Sequence, residues 1–470
     1  PKIFNEHDFF DRVDHQAQAT NLLTERRAMV SIYGKGGIGK TALACKVLND
    51  FATSNHDVGL AVFRMDDSPR PSAEVMLLAL ANFLPDEHPV LDTLKQPAIS
   101  IRDKTLALIN GLAGGQYIVY LDNFESIQHP DSHHIADEHI EAMVTAILER
   151  GGGVLQLLIT SRYPIPFEAR LKALEKIVRV DEGLGNADAI AFMREMDGDN
   201  HALPDDDTAL HDFIHRTGGY PRALEALVGY LGQSVTHHIE DFTDNPNLWH
   251  GEVMSNIVDK IHNTLPDSFR KVVGAIAIIG QASTQEELEY ALAPFIEMSA
   301  IRHILARLAE GRFVVYNRQT RTYGLHHYDL RYATESVPIG EYNDKLADEA
   351  PFTRYSLYHR MAEFYASKRK PQDEWQSIAD LEPQLREITF RMALGDYDKI
   401  ANILLDIVER YLLEWGYSNI VIKLCGEMQD KIDNSHFNMM NTISLGTAYR
   451  NIGNYQSAIK KYEIALELAH

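Results

Sequence analysis

Short apolar runs alternate with stretches of helical periodicity in the first part of the chain. The apolar runs cover residues 28–33, 58–64, 117–121 and 154–159, with a candidate fifth at 176–180. Helical spacing of apolar residues returns between them, most clearly at 42–51, 101–112 and 138–150. Strands that alternate with helices in this way indicate a parallel sheet covered on both faces. We therefore predict a five-stranded α/β domain at residues 28–183, preceded by a leader at 1–27.

The rest of the chain is predominantly helical, and its pattern changes twice. Residues 184–250 are predicted to form a helical lid, interrupted by Gly-Gly-Tyr-Pro at 218–221. Residues 251–335 show three or four helices followed by a hairpin, which is the order of a winged helix. The last region, 350–470, ends in residues at the spacing of a tetratricopeptide repeat, namely Leu445, Gly446, Tyr449, Gly453, Tyr455, Ala458, Tyr462 and Ala465.

Earlier, degenerate repeats are indicated by turn sequences around Gly395 and Gly416. A repeat of about 34 residues that starts at Met439 would run past the last residue, so we expect a truncated array. The chain also starts at Pro1 rather than Met. Both features lead us to expect a fragment of a longer protein.

Charge, cysteine content and the lack of long apolar runs indicate which partners and which cell compartment suit the chain. The 470 residues include 45 Lys and Arg against 67 Asp and Glu, a net charge of −22, which disfavours a nucleic-acid partner. The two cysteines, Cys45 and Cys425, have no metal-type spacing and indicate no disulfide. No signal peptide and no uninterrupted apolar run of membrane-spanning length is evident. We expect a cytoplasmic protein with no membrane partner.

Residues 34–41, Gly-Lys-Gly-Gly-Ile-Gly-Lys-Thr, fit the phosphate-loop pattern and lie between a predicted strand and a predicted helix. Such a loop presents backbone N–H groups to phosphates at a helix N-terminus. Lys40 is predicted to reach the β- and γ-phosphates of ATP or ADP, and Thr41 to bind Mg²⁺. The predicted phosphate-binding residues are Gly34, Gly36, Gly37, Ile38, Gly39, Lys40, Thr41 and Ala42.

Four residues are candidates for chemistry at this site. Asp122 ends the third apolar run, where a carboxylate holds the Mg²⁺ ion that bridges the phosphates. Asn123 follows it and cannot act as a base, so Glu125 is the nearest candidate for polarising the attacking water. Arg162 follows the fourth run and is predicted to contact the γ-phosphate. Lys40, Asp122, Glu125 and Arg162 form the predicted catalytic set.

These motifs resemble, in their order, those of the STAND signal-transduction ATPases, specifically the NB-ARC-like AP-ATPase branch, over residues 9–335. Phe10-Asp11-Arg12 is similar to the leader motif that contacts the base, with Asp11 in place of its glycine and Val13 in place of its glutamate. Residues 218–224 resemble the motif whose proline, here Pro221, packs on adenine. His326 falls where the family histidine contacts the β-phosphate of ADP, and His327 replaces the aspartate that follows it.

The resemblance implies a regulatory switch that hydrolyses ATP slowly. It implies a monomer closed around ADP, a trigger bound by the repeats, exchange for ATP, oligomerisation with other copies and an effector domain that is missing here. Two alternatives stay open. One is a helical-repeat scaffold with a structural ADP-bound domain, and the other is a DNA-binding transcription regulator, which the acidic charge disfavours.

Overall fold

The computed structural model describes residues 12–66, 70–85, 87–96, 99–112, 114–198, 202–234, 236–249, 253–280, 283–318, 320–340 and 351–469. Contacts divide the chain into two compact units. The first comprises the described residues up to Leu94, then 100–265 and 308–313, and the second comprises 95–99, 266–307 and 314–469. No described helix has the length and apolar character needed to cross a membrane.

Up to residue 265 the chain forms five strands and twelve α-helices among the described residues. The strands are β1 (Met29–Tyr33), β2 (Val58–Arg64), β3 (Gln116–Asp122), β4 (Leu155–Ser161) and β5 (Glu175–Arg179). The helices are α1 (Val13–Thr24), α2 (Lys40–Ser54), α3 (Ala73–Ala81), α4 (Pro89–Lys95), α5 (Ile101–Gly111), α6 (Glu138–Arg150), α7 (Ala169–Lys172), α8 (Asn186–Asp197), α9 (Thr208–Thr217), α10 (Pro221–Leu231), α11 (Glu240–Thr243) and α12 (Val253–Thr264).

The five strands form one parallel sheet in the order β2-β3-β4-β1-β5, which confirms the predicted parallel five-stranded sheet. Every residue of β1 and β4 is buried, as expected for central strands. The edge strands β2 and β5 are only partly buried. The predicted fifth run is therefore a true strand, and it lies at an edge.

Successive residues of each strand supply two separate hydrophobic cores. Val30 and Ile32 of β1 pack with α1 and α2 through residues such as Leu23, Leu43 and Val47. Met29, on the other face, joins the core beneath α3, α5 and α6. This alternation explains why the central strands are apolar at nearly every position.

The parallel arrangement places the functional segments together at the C-terminal ends of the strands. The loop after β1, Asp122 at the end of β3 and Arg162 after β4 all lie at the carboxyl ends of their strands. Since β4 pairs with both β1 and β3, Arg162 leaves the sheet between the loop and Asp122. In open parallel sheets, ligands bind just beyond these C-terminal strand ends.

The helices after β5 also pack closely within the first unit. Gly229 of α10 is buried, and a Cβ atom there would lie 2.2 Å from the carbonyl oxygen of Gly311. Arg222 near the start of α10 is buried too, and its Nη1 donates to the carbonyl oxygen of Arg312 at 3.3 Å. Segment 308–313 is thereby tied to α10.

The second unit begins with helices and a small antiparallel sheet. Its elements are α13 (Asp267–Ile279), β6 (Ser283–Thr284), α14 (Gln285–Leu292), α15 (Met298–Glu310), β7 (Val315–Asn317), β8 (Thr322–Gly324) and α16 (His327–Ser336), except that α15 ends in residues 308–310 of the first unit. The strands lie in the order β6-β8-β7, so the predicted hairpin gains a third, two-residue strand. Thr284 caps α14 with a capping box that includes Glu287.

The remainder of the second unit is helical. It contains α17 (Arg354–Ser367), α18 (Glu382–Leu394), α19 (Tyr397–Ile407), α20 (Ser418–Glu427), α21 (Ser435–Asn451) and α22 (Tyr455–Leu468), with a π-helical segment at Val408–Leu413. The turns before α19, α20 and α22 each contain a glycine with φ between 75° and 85°, namely Gly395, Gly416 and Gly453. Glycine adopts this left-handed conformation without steric cost.

We predict that Gly229→Ala destabilises the protein although alanine favours helix. The new methyl group would overlap the Gly311 carbonyl, and overpacking of this kind costs about 1–3 kcal/mol. Calorimetry of thermal unfolding measures the effect. Gly426→Ala on α20 is the matched control, because no atom lies within 4 Å of its new Cβ and it should stabilise by up to ~1 kcal/mol. A Gly229→Ala protein that unfolds at or above the parent temperature would contradict the packing.

Candidate functional site

The loop between β1 and α2 has a backbone that requires glycine. Gly37 and Gly39 have φ values of 70° and 98°. A Cβ at Gly34 would lie 2.2 Å from the carbonyl oxygen of Val180, where the chain leaves β5. The Gly34 amide donates to the carbonyl oxygen of Ser161 at 3.4 Å. The loop is therefore anchored to the ends of both strands that flank β1.

Lys40, the first residue of α2, lies over this loop and is only 8% exposed. Its Nζ donates to the carbonyl oxygens of Gly34 and Lys35 at 2.9 and 3.0 Å. Burial lowers the pKa of Lys40 to about 8, and the negative charge of Glu125 acts in the opposite direction. The ammonium is therefore poorly solvated, and a bound phosphate would supply the negative charge that stabilises it.

Asp122 and Thr41 are hydrogen-bonded to each other at the C-terminal end of β3. Asp122 is 4% exposed, and its Oδ1 accepts hydrogen bonds from the hydroxyls of Thr41 (2.9 Å), Tyr120 (2.7 Å) and Thr160 (2.6 Å). Burial, together with the Asp122 charge, raises the pKa of Tyr120, so its hydroxyl stays a donor. These three hydroxyl donors hold the carboxylate in one orientation.

These two residues fit a magnesium ion. The Thr41 hydroxyl and the Asp122 carboxylate offer hard oxygen ligands at hydrogen-bond distance from each other. No cluster of three or more His, Cys, Asp or Glu side chains suited to a metal occurs among the described residues, so this is not an all-protein cage. Thr41 and Asp122 are the residues that would hold Mg²⁺, which would neutralise phosphate charge when bound.

Glu125 and Arg162, both predicted site residues, contact each other. The Nε of Arg162 lies 3.0 Å from Oε1 of Glu125, and both side chains are largely shielded from solvent. Glu125 lies in a 3-10 turn, Phe124–Ile127, that follows Asn123 in a left-handed conformation with φ of 55°. The Asn123 amide side chain donates to Asp66 at 3.0 Å. The candidate base is therefore paired with the candidate phosphate sensor.

Arg12 reaches the loop from the leader. Its Nη2 donates to the carbonyl oxygen of Ile38 at 2.6 Å and to that of Glu182 at 3.1 Å. Arg12 is 6% exposed and adopts φ of 73° where it precedes α1. It lies beside Gly39, whose added Cβ would be 3.9 Å from its Nε. Phe10 and Asp11, which carry the rest of the leader motif, lie outside the described residues.

The start of α10 contacts the same loop. An added Cβ at Gly39 would lie 3.9 Å from Cγ of Pro221, and the backbone N–H of Arg222 points to the carbonyl oxygen of Gly37 at 3.4 Å. The chain entering α8 is packed against the turn before α10. A Cβ at Gly183 would lie 2.0 Å from the Gly218 carbonyl oxygen.

Three polar residues take part in this arrangement although sequence reasoning assigned them no role. The Thr160 hydroxyl donates to Asp122 and accepts, at 3.2 Å, from the backbone N–H of Asn123. Gln128 accepts from the Ser161 hydroxyl at 2.8 Å, which ties the turn that carries Glu125 to the end of β4. The signal for Thr160 and Ser161 is their position at the end of an apolar run. Gln128 shows no comparable signal.

His326 belongs to the second unit, where it immediately precedes α16 in an extended conformation with φ of −67° and ψ of 146°. The contacts described around the phosphate loop all lie within the first unit and do not include His326. Its contact with ADP stays a prediction.

A parallel sheet, a glycine-rich loop that leads into a helix, a buried lysine and a paired Thr and Asp define a P-loop nucleotide-binding domain. Residues 9–162 match the family model described as Nephrocystin 3, N-terminal. That match covers the leader, the loop and the first four strands. No curated protein sequence matches the chain.

Solved structures resemble the chain weakly. The Orc1 protein of Aeropyrum pernix in complex with DNA is 16% identical, with a TM-score of 0.35, over 72% of this chain and 94% of that one. A point variant of Thermotoga maritima RuvB is 14% identical, with a TM-score of 0.31, over 72% and 99% of the two chains. Caenorhabditis elegans PCH-2 is 12% identical, with a TM-score of 0.28, over 56% and 71%. At TM-scores this low the likeness supports no inference about function.

We predict that nucleotide affinity falls as pH rises through about 8. Bound phosphate stabilises the Lys40 ammonium, and deprotonation of Lys40 in the free protein, whose pKa is lowered to about 8, adds a growing cost above that value. A fluorescent ADP analogue titrated between roughly pH 6.5 and 9.5 should show constant affinity at first, then a loss that approaches tenfold per unit.

The Lys40→Met variant should bind more weakly and lose this alkaline dependence. Lys35→Met, which changes the exposed neighbouring lysine, is the matched control and should keep it. If Lys40→Met retains the parent pH profile, the titrating group is not Lys40.

Proposed function

We propose that this protein is a nucleotide-dependent regulatory switch of the STAND class, with slow ATP hydrolysis as its reset. One observation carries the proposal: the phosphate loop is bonded by residues from outside its own strand and helix. Arg12 donates to the Ile38 carbonyl oxygen, and the Arg222 amide points to that of Gly37. These contacts would couple occupancy of the loop to the leader and to α10.

This coupling favours a switch because a ligand shifts an equilibrium only through its different affinities for two states. A change from 1:99 to 99:1 requires about 5.5 kcal/mol of differential affinity. Few groups at this site distinguish ATP from ADP. Arg162 and Lys40 are cations within reach of the γ-phosphate, and Thr41 with Asp122 would hold Mg²⁺.

The ion pair between Glu125 and Arg162 indicates how the third phosphate would be sensed. A γ-phosphate near Arg162 competes with Glu125 for the guanidinium, because both are anions that form charge-assisted hydrogen bonds. Glu125 would then be released toward the attacking water. Hydrolysis stays slow since Asn123, beside Asp122, has no basic group and Glu125 is only conditionally available.

The remaining parts of the proposal follow from the resemblance and from the order of the elements. Helices α13 to α15 with the sheet β6-β8-β7 have the order of a winged helix, in which His326 would latch ADP. The helical pairs of the second unit would bind the trigger. The active form would be an oligomer of this chain that acts in the cytoplasm through an effector domain, and the charge of −22 disfavours DNA as its target.

We predict that the protein purifies with about one ADP per chain in the proposed closed state. Denaturation of the purified protein followed by ion-exchange chromatography identifies and counts the released nucleotide. Lys40→Ala, which removes the contact to the phosphates, should purify nearly free of nucleotide. An empty parent site, or one that exchanges freely and turns over ATP rapidly, would contradict the switch and indicate a working ATPase.

We predict that Arg162→Ala abolishes oligomerisation driven by ATP and Mg²⁺ while ADP affinity changes by less than about twofold. The reason is that Arg162 is proposed to contact only the third phosphate. Light scattering after size exclusion measures the mass, and titration of a fluorescent ADP analogue measures the affinity.

Arg170→Ala is the matched control, since Arg170 is an arginine of the same unit whose side chain is 82% exposed. A parent protein that binds ATP but keeps one mass in ATP and in ADP would favour the scaffold alternative. An Arg162→Ala variant that still assembles would remove the sensor role.

A further inference from the structure

Two adjoining cavities lie in the helical part of the second unit, remote in sequence from the phosphate loop. The larger, about 360 Å³, is lined by Arg369, Glu387, Arg391, Asp398, Lys399, Asn402, Ile403 and Phe437. The smaller, about 230 Å³, is lined by Arg369, Lys370, Gln372, Trp375, Gln384, Ile403, Asp406 and Ile407. Arg369 and Ile403 line both and so form the partition between them.

A buried ion cluster fixes this partition. Glu387 is 1% exposed and bonds two arginines, accepting from Nε of Arg369 at 2.8 Å and from Nε of Arg391 at 2.6 Å. Arg391 also bonds Glu363 at 3.1 Å and Asp396 at 3.2 Å. Both Nε and Nη2 of Arg369 donate to the same carboxylate oxygen of Glu387. The Arg369 side chain is nevertheless 31% exposed. A guanidinium preorganised in this way recognises a carboxylate at little entropic cost.

Gln384 lines the smaller cavity with an amide that lacks protein partners. The residue is 1% exposed, yet neither Nε2 nor Oε1 forms a hydrogen bond with any described residue. Buried amides are normally satisfied, and each exception calls for an explanation. A bound molecule that accepts from Nε2 and donates to Oε1 would supply both missing bonds.

The smaller cavity is also lined by a carboxylate. Asp406 is exposed on α19, and none of the described residues forms an ion pair or hydrogen bond with it. Lys370, on the same cavity, is already paired with Asp380 at 2.6 Å. The cavity therefore offers the Nη1 group of Arg369, whose other two nitrogens are bonded to Glu387, together with one carboxylate and one unsatisfied amide. Trp375, Ile403 and Ile407 supply its apolar surface.

We propose that the smaller cavity binds a free L-α-amino acid with an apolar side chain. The α-carboxylate would pair with Arg369 and accept from Gln384 Nε2. The α-ammonium would pair with Asp406 and donate to Gln384 Oε1. The side chain would lie against Trp375, Ile403 and Ile407. A cavity of about 230 Å³ suits a ligand below the drug-sized range of roughly 300–1,000 Å³.

Binding of the amino acid does not depend on the nucleotide switch. That such a ligand is the signal sensed by the helical region rests on the proposed function. The same chemistry would reject a peptide with both ends blocked, because blocked ends offer neither the carboxylate nor the ammonium.

We predict that isothermal titration of the 470-residue chain, saturated with ADP and Mg²⁺, detects at least one apolar L-amino acid among the natural amino acids tested singly. The binder should also raise the thermal unfolding temperature. Gln384→Leu should weaken its binding at least about tenfold, since two hydrogen bonds to charged groups are lost. The same variant should unfold at or above the parent temperature, because an unsatisfied buried amide has been removed.

Asp406→Asn should also weaken binding at least about tenfold without altering the unfolding temperature. Glu427→Gln, which neutralises another exposed carboxylate of the helical region, is the matched control and should bind as the parent does. The proposal is overturned if none of the amino acids binds, if only an end-blocked peptide binds, or if Gln384→Leu and Asp406→Asn retain parent affinity. None of these outcomes bears on whether ADP occupies the phosphate loop.

Discussion

The outward hydrogen bonds of the phosphate loop are the constraint on which the nucleotide site depends. The carbonyl oxygens of Gly34 and Lys35 accept from Lys40, that of Gly37 faces the Arg222 amide, and that of Ile38 accepts from Arg12. A nest for phosphate requires its N–H groups to converge, which directs the carbonyls away from the centre. Each of these carbonyls then needs a donor elsewhere. The protein supplies these donors from three separate places, namely Arg12 before α1, Lys40 of α2 and the Arg222 amide of α10.

The sheet determines which chemistry can gather around that loop. Because β4 lies between β1 and β3, the residues that follow it lie between the phosphate loop and the end of β3 that carries Asp122. Thr160 uses that position to orient Asp122, and Arg162 uses it to hold Glu125. The end of one strand thereby carries both the hydroxyl that orients Asp122, the proposed Mg²⁺ ligand, and the charge proposed to sense phosphate. A shift of this strand end would alter both at once.

Much of the sheet and the loop was predictable from sequence because their signals are local. Continuous apolar runs and a complete glycine pattern identify β1, β3, β4 and the residues 34–41 without knowledge of the tertiary structure. Contacts between distant segments were not predictable in this way. Arg12 bonds a carbonyl 170 residues away at Glu182, and Gln128 bonds a serine 33 residues away. Short elements such as α4 and the two-residue β6 also have too few residues to establish a period.

Two glycines bring the chain that enters α8 against the turn before α10. Gly183 and Gly219 lie so close to the opposing backbone that an added Cβ would come within 2.0 and 2.2 Å of a carbonyl oxygen, and the Leu184 amide donates to Gly219 at 2.8 Å. Two segments in such close contact leave no room for a side chain at either glycine. The start of α10, and with it Pro221 beside the phosphate loop, is therefore positioned by two residues that have no side chain.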